Sequence, residues 1–275
     1  MPPLRSVSPR AALSAHRAEE KKPERTPLFV LLGTFLLSFW RFGYAYAARD
    51  QEEFLPYLLY RLDPSILAGD WFVQTQMAFN VRTYFVLALQ PLAEVFPLWL
   101  VMAVVYAAAW LAIAHGLYRL AFTFTPDHLA AALATVLTLV VTWMWTLGGN
   151  DLAYDILAPE LVAWALVLPA LRFFLEKRWI FAGALLGAAS LMQLLAGLLT
   201  AGVLAGILLL DVLDAARRRQ ALCALFRFTG TFVLCAVPVI IPLALQQLAE
   251  AEPTAETPSA FYILAVFRAP HHYLP

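Results

Sequence analysis

Three carboxylates directly follow the first hydrophobic run of the chain, and their position suits them to acid-base chemistry. Asp50, Glu52 and Glu53 come after an apolar stretch that begins at Pro27. A carboxylate held beside a bilayer is partly desolvated, which raises its pKa towards neutrality and allows it to act as a general base on a hydroxyl group. The alternative interpretation is that these acids simply flank a membrane span in water.

A second acidic loop, GGNDLAYDILAPE, carries Asp151, Asp155 and Glu160 and has no basic residue. Asp151 and Asp155 are four residues apart, so they would share one face of a helical turn. Paired carboxylates suit a divalent cation such as Mg²⁺ or Mn²⁺. The spacing does not require a metal, however, and a solvated loop is the alternative.

The C-terminal residues offer a group that could bind phosphate. Arg268, His271, His272 and Tyr273 supply a cation, two titratable rings and a phenol within six residues. Such a group can hold a phosphate and stabilise the charge of a departing phosphate. Adjacent histidines on a helix point about 100° apart, and no cysteine is near them, so we predict no zinc site.

The composition predicts that these residues are positioned by membrane helices. The chain is 62% hydrophobic and 14% charged, with a mean hydropathy of +0.72, whereas about a quarter of the residues of a soluble domain are charged. Alternating ten-residue strands are absent, so the predicted fold is an all-α polytopic transmembrane bundle. No GxxxxGK[ST], GxGxxG or HExxH motif and no nucleic-acid-binding pattern occurs, which leaves nucleotide hydrolysis, zinc proteolysis and nucleic-acid partners without support.

About seven spans are predicted, with the N-terminus in the cytoplasm. Residues 1–26 are polar and basic, so they are expected to be disordered and cytoplasmic by the positive-inside rule. Residues 27–275 form the transmembrane domain. A signal peptide cleaved after AYAA is the alternative for the first run, but the further spans favour an uncleaved anchor. The predicted spans are 27–47, 97–118, 127–147, 158–174, two short crossings within 179–213 that turn near Gln193, and 222–245.

The first external loop, 48–82, is predicted to contain two amphipathic helices that lie along the membrane interface. Apolar side chains recur at three- and four-residue spacings in 51–62 and again in 65–79. Pro64 marks the turn between them, because proline is disfavoured inside a helix and favoured at its start. The following segment, 83–96, is interrupted by prolines and is also predicted to be interfacial.

Two glycine pairs have the GxxxG spacing that lets membrane helices approach closely. They are Gly183 with Gly187, and Gly202 with Gly206. We expect both pairs to serve helix packing.

The layout and two motifs resemble the GT-C superfamily of integral-membrane glycosyltransferases. A first span is followed by a large external loop that opens with an acidic motif. The stretch RDQEEFLPYLLYRLDPSILAGDWFV is similar to the first loop of a bacterial GT-C-like branch, which has the patterns D-Q-x-x-x-L-P, L-D-P-S and D-x-F-V. The stretch APHHYLP at the C-terminus is similar to a segment of the same group.

The resemblance implies a sugar transfer from a polyprenyl-phosphate donor at the external face of a bacterial inner membrane. The family's first-loop carboxylate, a base or metal contact, would fall on Asp50, with Glu52 or Glu53 as substitutes. Asp151 and Asp155 match the family in position only. The competing hypothesis is a non-catalytic polytopic membrane protein, either a transporter or a GT-C-like scaffold. An apolar half-span at 261–267 leads us to expect a shortened C-terminus.

Overall fold

The hydrophobic runs form helices, because backbone polar groups in apolar surroundings must bond within their own segment. The computed structural model describes residues 26–141, 152, 155–216 and 218–249, and no strand occurs among them. In chain order the helices are α1 Leu28–Phe42, α2 Gln51–Leu62, α3 Trp71–Gln76, α4 Thr83–Ala93, α5 Leu98–Phe124, α6 His128–Val136 with a π-helical turn Leu137–Val141, α7 Pro159–Leu175, α8 Trp179–Met192, α9 Leu194–Leu213 and α10 Arg218–Ala249.

Three of these helices are long and apolar enough to cross a membrane. They are α5, α9 and the part of α10 that runs to Gln246. The 20 residues of α9 span about 30 Å, the thickness of a hydrocarbon core. The chain therefore has the architecture of a helical membrane protein, as the composition predicts.

The helices pack into a bundle in two groups that share α7. In one group, α2 of the first loop and the following helix α4 join α5 and α7 around Phe54, Phe85 and Trp110. In the other, α7 to α10 pack around Leu186 and Phe228. The first loop is thus an integral part of the core.

The two glycine pairs differ in their surroundings. A Cβ added to Gly183 would lie 2.3 Å from the Phe228 carbonyl oxygen, and one added to Gly187 would lie 2.8 Å from the Phe232 carbonyl oxygen. This pair therefore allows α8 to approach α10 closely. The packing prediction for Gly202 and Gly206 is wrong within the described residues, where no atom lies within 4 Å of a Cβ added at either position.

A tyrosine of α4 compensates for a proline in α10. Pro242 has no backbone N–H, so the carbonyl of Pro238, four residues earlier, lacks its usual partner within the helix. The Tyr84 hydroxyl in α4 donates a hydrogen bond to that carbonyl over 3.1 Å. This bond ties α4 to α10.

The helix predicted at 51–62 is confirmed to the residue, but the one predicted at 65–79 is wrong. Only Trp71–Gln76 is helical, because Asp70 accepts a hydrogen bond from the Val73 N–H and caps the helix there. Before it, Asp63 accepts bonds from the N–H and the hydroxyl of Ser65, which hold a turn and lower the pKa of the Asp63 carboxyl. Short polar side chains of this kind compete with helix formation.

Several predicted span boundaries shift. The first helix ends at Phe42 rather than at residue 47, since Gly43 follows in the left-handed region with φ of 75°. Helix α5 continues to Phe124, and α10 begins four residues before 222. The segment 158–174 is helical as predicted, and α8 and α9 meet at Gln193.

Charge divides between the two ends of the bundle. The basic end is where α5, α7 and α9 finish and α8 and α10 begin. The acidic end is where the first loop meets the start of α7. Among the described residues the basic end has seven basic and four acidic side chains, and the acidic end has four basic and eight acidic ones. The basic residues of the basic end are Arg119, Arg172, Lys177, Arg178, Arg218, Arg219 and Arg227.

Candidate functional site

The segment between α1 and α2 docks against the residues that precede α7. The Ala45 N–H donates to the Asp155 carbonyl over 2.7 Å. The Arg49 Nη1 donates to Asp155 Oδ1, also over 2.7 Å. The two acidic loops are therefore in direct contact through Asp155.

Gln51 holds this contact together from inside. Its side chain is fully buried, its Oε1 accepts from the Ala47 N–H over 2.7 Å, and its Nε2 donates to the Leu157 carbonyl over 3.2 Å. The sequence analysis did not identify Gln51 as a site residue because it has no charge. One feature of the sequence could have indicated that Gln51 is buried. It lies on the apolar face of α2, where Phe54, Leu55 and Leu58 follow it at helical spacing.

The docked segment has an unusual backbone. Ala47 and Arg49 lie in the left-handed region, with φ of 55° and 52°. Each non-glycine residue there costs about 1 to 3 kcal/mol and persists only where surrounding contacts hold it. Here the bonds to Gln51 and Asp155 supply those contacts. Strain of this kind is common at functional sites.

The three predicted catalytic carboxylates have different surroundings. Asp50 and Glu52 are exposed at the start of α2, and the Asp50 side chain does not cap the helix. Protein burial therefore does not supply the desolvation that we expected for them. Glu53 is half-buried and forms an ion pair with Arg82, the residue before α4. Because it is paired with Arg82, Glu53 is suited to holding the first loop in position.

A pair of tyrosines lines the inner side of the docked segment. The rings of Tyr44 and Tyr106 have centroids 4.7 Å apart. Burial raises the pKa of the Tyr44 phenol, an effect that the Gln51 side chain partly offsets. Tyr44 is therefore a neutral phenol at physiological pH.

A chain of polar contacts links α2 to α4 along the acidic end. The Arg61 Nε donates to Gln90 Oε1 over 2.7 Å, and Gln90 Nε2 donates to Glu94 Oε1 over 2.8 Å. Together with the ion pair of Glu53 and Arg82, this chain fixes α2 relative to α4.

The predicted cation site at Asp151 and Asp155 has only Asp155 among the described residues. The Asp155 side chain is 12% exposed, and one of its oxygens binds Arg49. Across the described part of the chain no group of three or more His, Cys, Asp or Glu is placed to hold a metal ion. Asp151, Arg268, His271, His272 and Tyr273 lie outside the described residues.

Comparison with known proteins gives no relative for this arrangement. No family model, no curated protein and no solved structure matches the chain.

Proposed function

We propose that the chain is a GT-C-like membrane glycosyltransferase that transfers a sugar from a polyprenyl-phosphate donor. The observation that carries the proposal is the docking of the first loop on the second acidic loop. This docking leaves Asp50 and Glu52 exposed at the start of α2, on a segment whose backbone is strained. The motif resemblance of the first loop supports the same assignment.

In the proposed reaction Asp50 accepts the proton of an acceptor hydroxyl. The hydroxyl oxygen then bonds to the anomeric carbon of the donor sugar. The bond from that carbon to the phosphate oxygen breaks, and its electron pair leaves with the polyprenyl phosphate. Arg268, His271 and His272 are the groups proposed to neutralise the departing phosphate, and Tyr273 is proposed to help bind it.

The proposed placement has about seven spans in a bacterial inner membrane. Basic residues favour the cytoplasmic side of a membrane, so the basic end and the basic leader 1–26 face the cytoplasm. The acidic end then faces outward, where lipid-linked sugars would meet their acceptors. The tryptophans Trp40, Trp71 and Trp99 at the acidic end are more than half exposed, as expected for anchors at a membrane interface.

A non-catalytic scaffold is the second candidate, and the ion pairs favour it. The two partly buried carboxylates Glu53 and Asp155 each have an arginine partner. Carboxylates that are paired in this way can hold the loop in position without taking part in a reaction. On this hypothesis Asp50 and Glu52 are only solvated surface acids.

The test is mass spectrometry of lipid-linked sugars in cells that lack the gene, complemented with wild type or with Asp50→Asn. We expect a polyprenyl-phosphate sugar to accumulate without the gene and wild type to clear it. Asp50→Asn should slow clearance about 100-fold or more, the lower range for loss of a general base. Glu94→Gln removes an exposed carboxylate at the same end but keeps a side-chain oxygen that can accept the bond from Gln90, so it should act like wild type.

Equal membrane levels of all variants establish that folding is intact. Full complementation by Asp50→Asn would refute its role as the base. An unchanged lipid profile in every strain would favour the scaffold.

A further inference from the structure

The docked segment, residues 43–50, is joined to the second acidic loop by few bonds. The Ala45 N–H donates to the Asp155 carbonyl and Arg49 Nη1 donates to Asp155 Oδ1, each over 2.7 Å. Within the described residues, both direct hydrogen bonds between these two parts therefore end at Asp155. The Arg49 side chain is 59% exposed, and an exposed ion pair contributes little because water and salt screen it.

The backbone of the docked segment opposes the docked position. Ala47 and Arg49 both lie in the left-handed region, with φ of 55° and 52°, which Cβ disfavours for most residues. Release of the segment lets both residues return to ordinary φ values. Gly43 begins the segment with φ of 75°. Because glycine adopts many conformations at little steric cost, it provides a hinge where the segment leaves α1.

The Tyr44 hydroxyl adds another cost to the docked position. Its oxygen is buried and has no hydrogen-bond partner of good geometry among the described residues. The Gln51 carboxamide is bonded instead to the Ala47 N–H and the Leu157 carbonyl. A buried hydroxyl without a partner has lost its bonds to water and gained none in exchange. Opening of the segment restores the hydration of this phenol.

We propose that the docked segment is a gate that opens while the rest of the bundle stays folded. In the open state the ion pair between Arg49 and Asp155 is broken. Ala47 and Arg49 then leave the left-handed region, and the Tyr44 hydroxyl is hydrated. Each of the three costs of the docked position corresponds to about a five-fold or greater rise in the open population.

Opening changes what the acidic end presents to a ligand. It uncovers the Asp155 carboxylate and the Tyr44 phenol, two groups that form hydrogen bonds with hydroxyl groups. Helix α2 keeps its position, because Gln51 binds the Leu157 carbonyl from within α2. The gate thus controls access to the acidic end without unfolding the core. It does not depend on the proposed transferase activity.

The experiment is amide hydrogen exchange of the purified full chain in lipid nanodiscs, read by mass spectrometry with fragmentation to single residues. The informative amides are those of Ala45 and Ala47, which are hydrogen-bonded in the docked position. In wild type we expect them to exchange at least about ten-fold faster than the amides of 54–58 in α2, because a local opening needs less free energy than unfolding of the core. Equal protection of the two regions would overturn the proposal.

The variant Tyr44→Phe removes the buried hydroxyl and keeps the ring. We expect the Ala45 and Ala47 amides to exchange about five-fold more slowly, because the docked position no longer costs lost bonds to water. A hydroxyl that stabilised the docked position would give the opposite sign. Faster or unchanged exchange therefore overturns the gate.

Ala47→Gly and Ala48→Gly are a matched pair at adjacent positions. Glycine at 47 relieves the left-handed strain, whereas Ala48 is not left-handed and glycine there only adds freedom to the open state. After correction for intrinsic rates, the Ala45 amide should exchange about two- to five-fold more slowly in Ala47→Gly and no more slowly than wild type in Ala48→Gly. Equal effects of the two changes would overturn the proposal. Parallel changes at 54–58 would also overturn it, since the segment would then open only with the whole bundle.

Discussion

At the scale of single residues, the acidic end depends on an uncharged side chain. A carboxamide both donates and accepts, so Gln51 can satisfy one N–H and one carbonyl that no helix or strand satisfies. A carboxylate in the same place would bury a charge beside a carbonyl oxygen. The charged neighbours Arg49 and Glu53 form ion pairs around this buried bridge.

Replacing Gln51 with leucine should therefore destabilise the protein. Leucine leaves the Ala47 N–H and the Leu157 carbonyl without their partner, and the orphaned carbonyl lies on a fully buried residue. We expect the free energy of unfolding to fall by about 1 to 3 kcal/mol, measured by SDS titration with tryptophan fluorescence. The control Gln74→Leu removes an exposed glutamine and should change it by less than about 0.5 kcal/mol. Equal effects of the two changes would refute the role assigned to Gln51.

At the scale of helices, identical sequence patterns have different structural roles. Gly183 with Gly187 and Gly202 with Gly206 have the same spacing, yet only the first pair contacts another described helix closely. Sequence periodicity located α8 and α9 well, because apolar runs and the break at Gln193 are local signals. It could not tell which face of each helix is packed, since that depends on distant partners such as Phe228 and Phe232.

Alanine substitutions should separate the two glycine pairs. At Gly187 the new Cβ would lie 2.8 Å from the Phe232 carbonyl oxygen and force α8 away from α10. We expect a loss of about 1 to 3 kcal/mol in the free energy of unfolding. At Gly206 no described atom lies within 4 Å of the new Cβ, so alanine there should be neutral or stabilise α9 by up to about 1 kcal/mol. A comparable loss at both positions in the SDS titration would mean that α9 is also packed through its glycines.

At the scale of the whole molecule, the sequence predicted the class of architecture but not the contact between the loops. Composition alone indicates membrane helices, because hydropathy is a property of each segment. The pairing of Arg49 with Asp155 joins residues 106 positions apart, and no local pattern encodes such a contact. The left-handed residues Ala47 and Arg49 likewise have no signature in their residue types.

The segregation of charge predicts how the chain is oriented in the membrane. Labelling one residue at each end of the bundle tests this orientation. In a variant lacking Cys223 and Cys235, one alanine at each end is changed to cysteine: Ala68 at the acidic end and Ala215 at the basic end, both exposed. We expect a membrane-impermeant maleimide to label Ala68→Cys in cells whose outer membrane alone is permeabilised. Ala215→Cys should be labelled only after the inner membrane is opened, because basic residues favour the cytoplasmic side. The reverse pattern would place the acidic end in the cytoplasm. The exposed carboxylates Asp50 and Glu52 would then be on the wrong side of the membrane for a donor at the outer face, so the orientation and the proposed transferase activity would fail together.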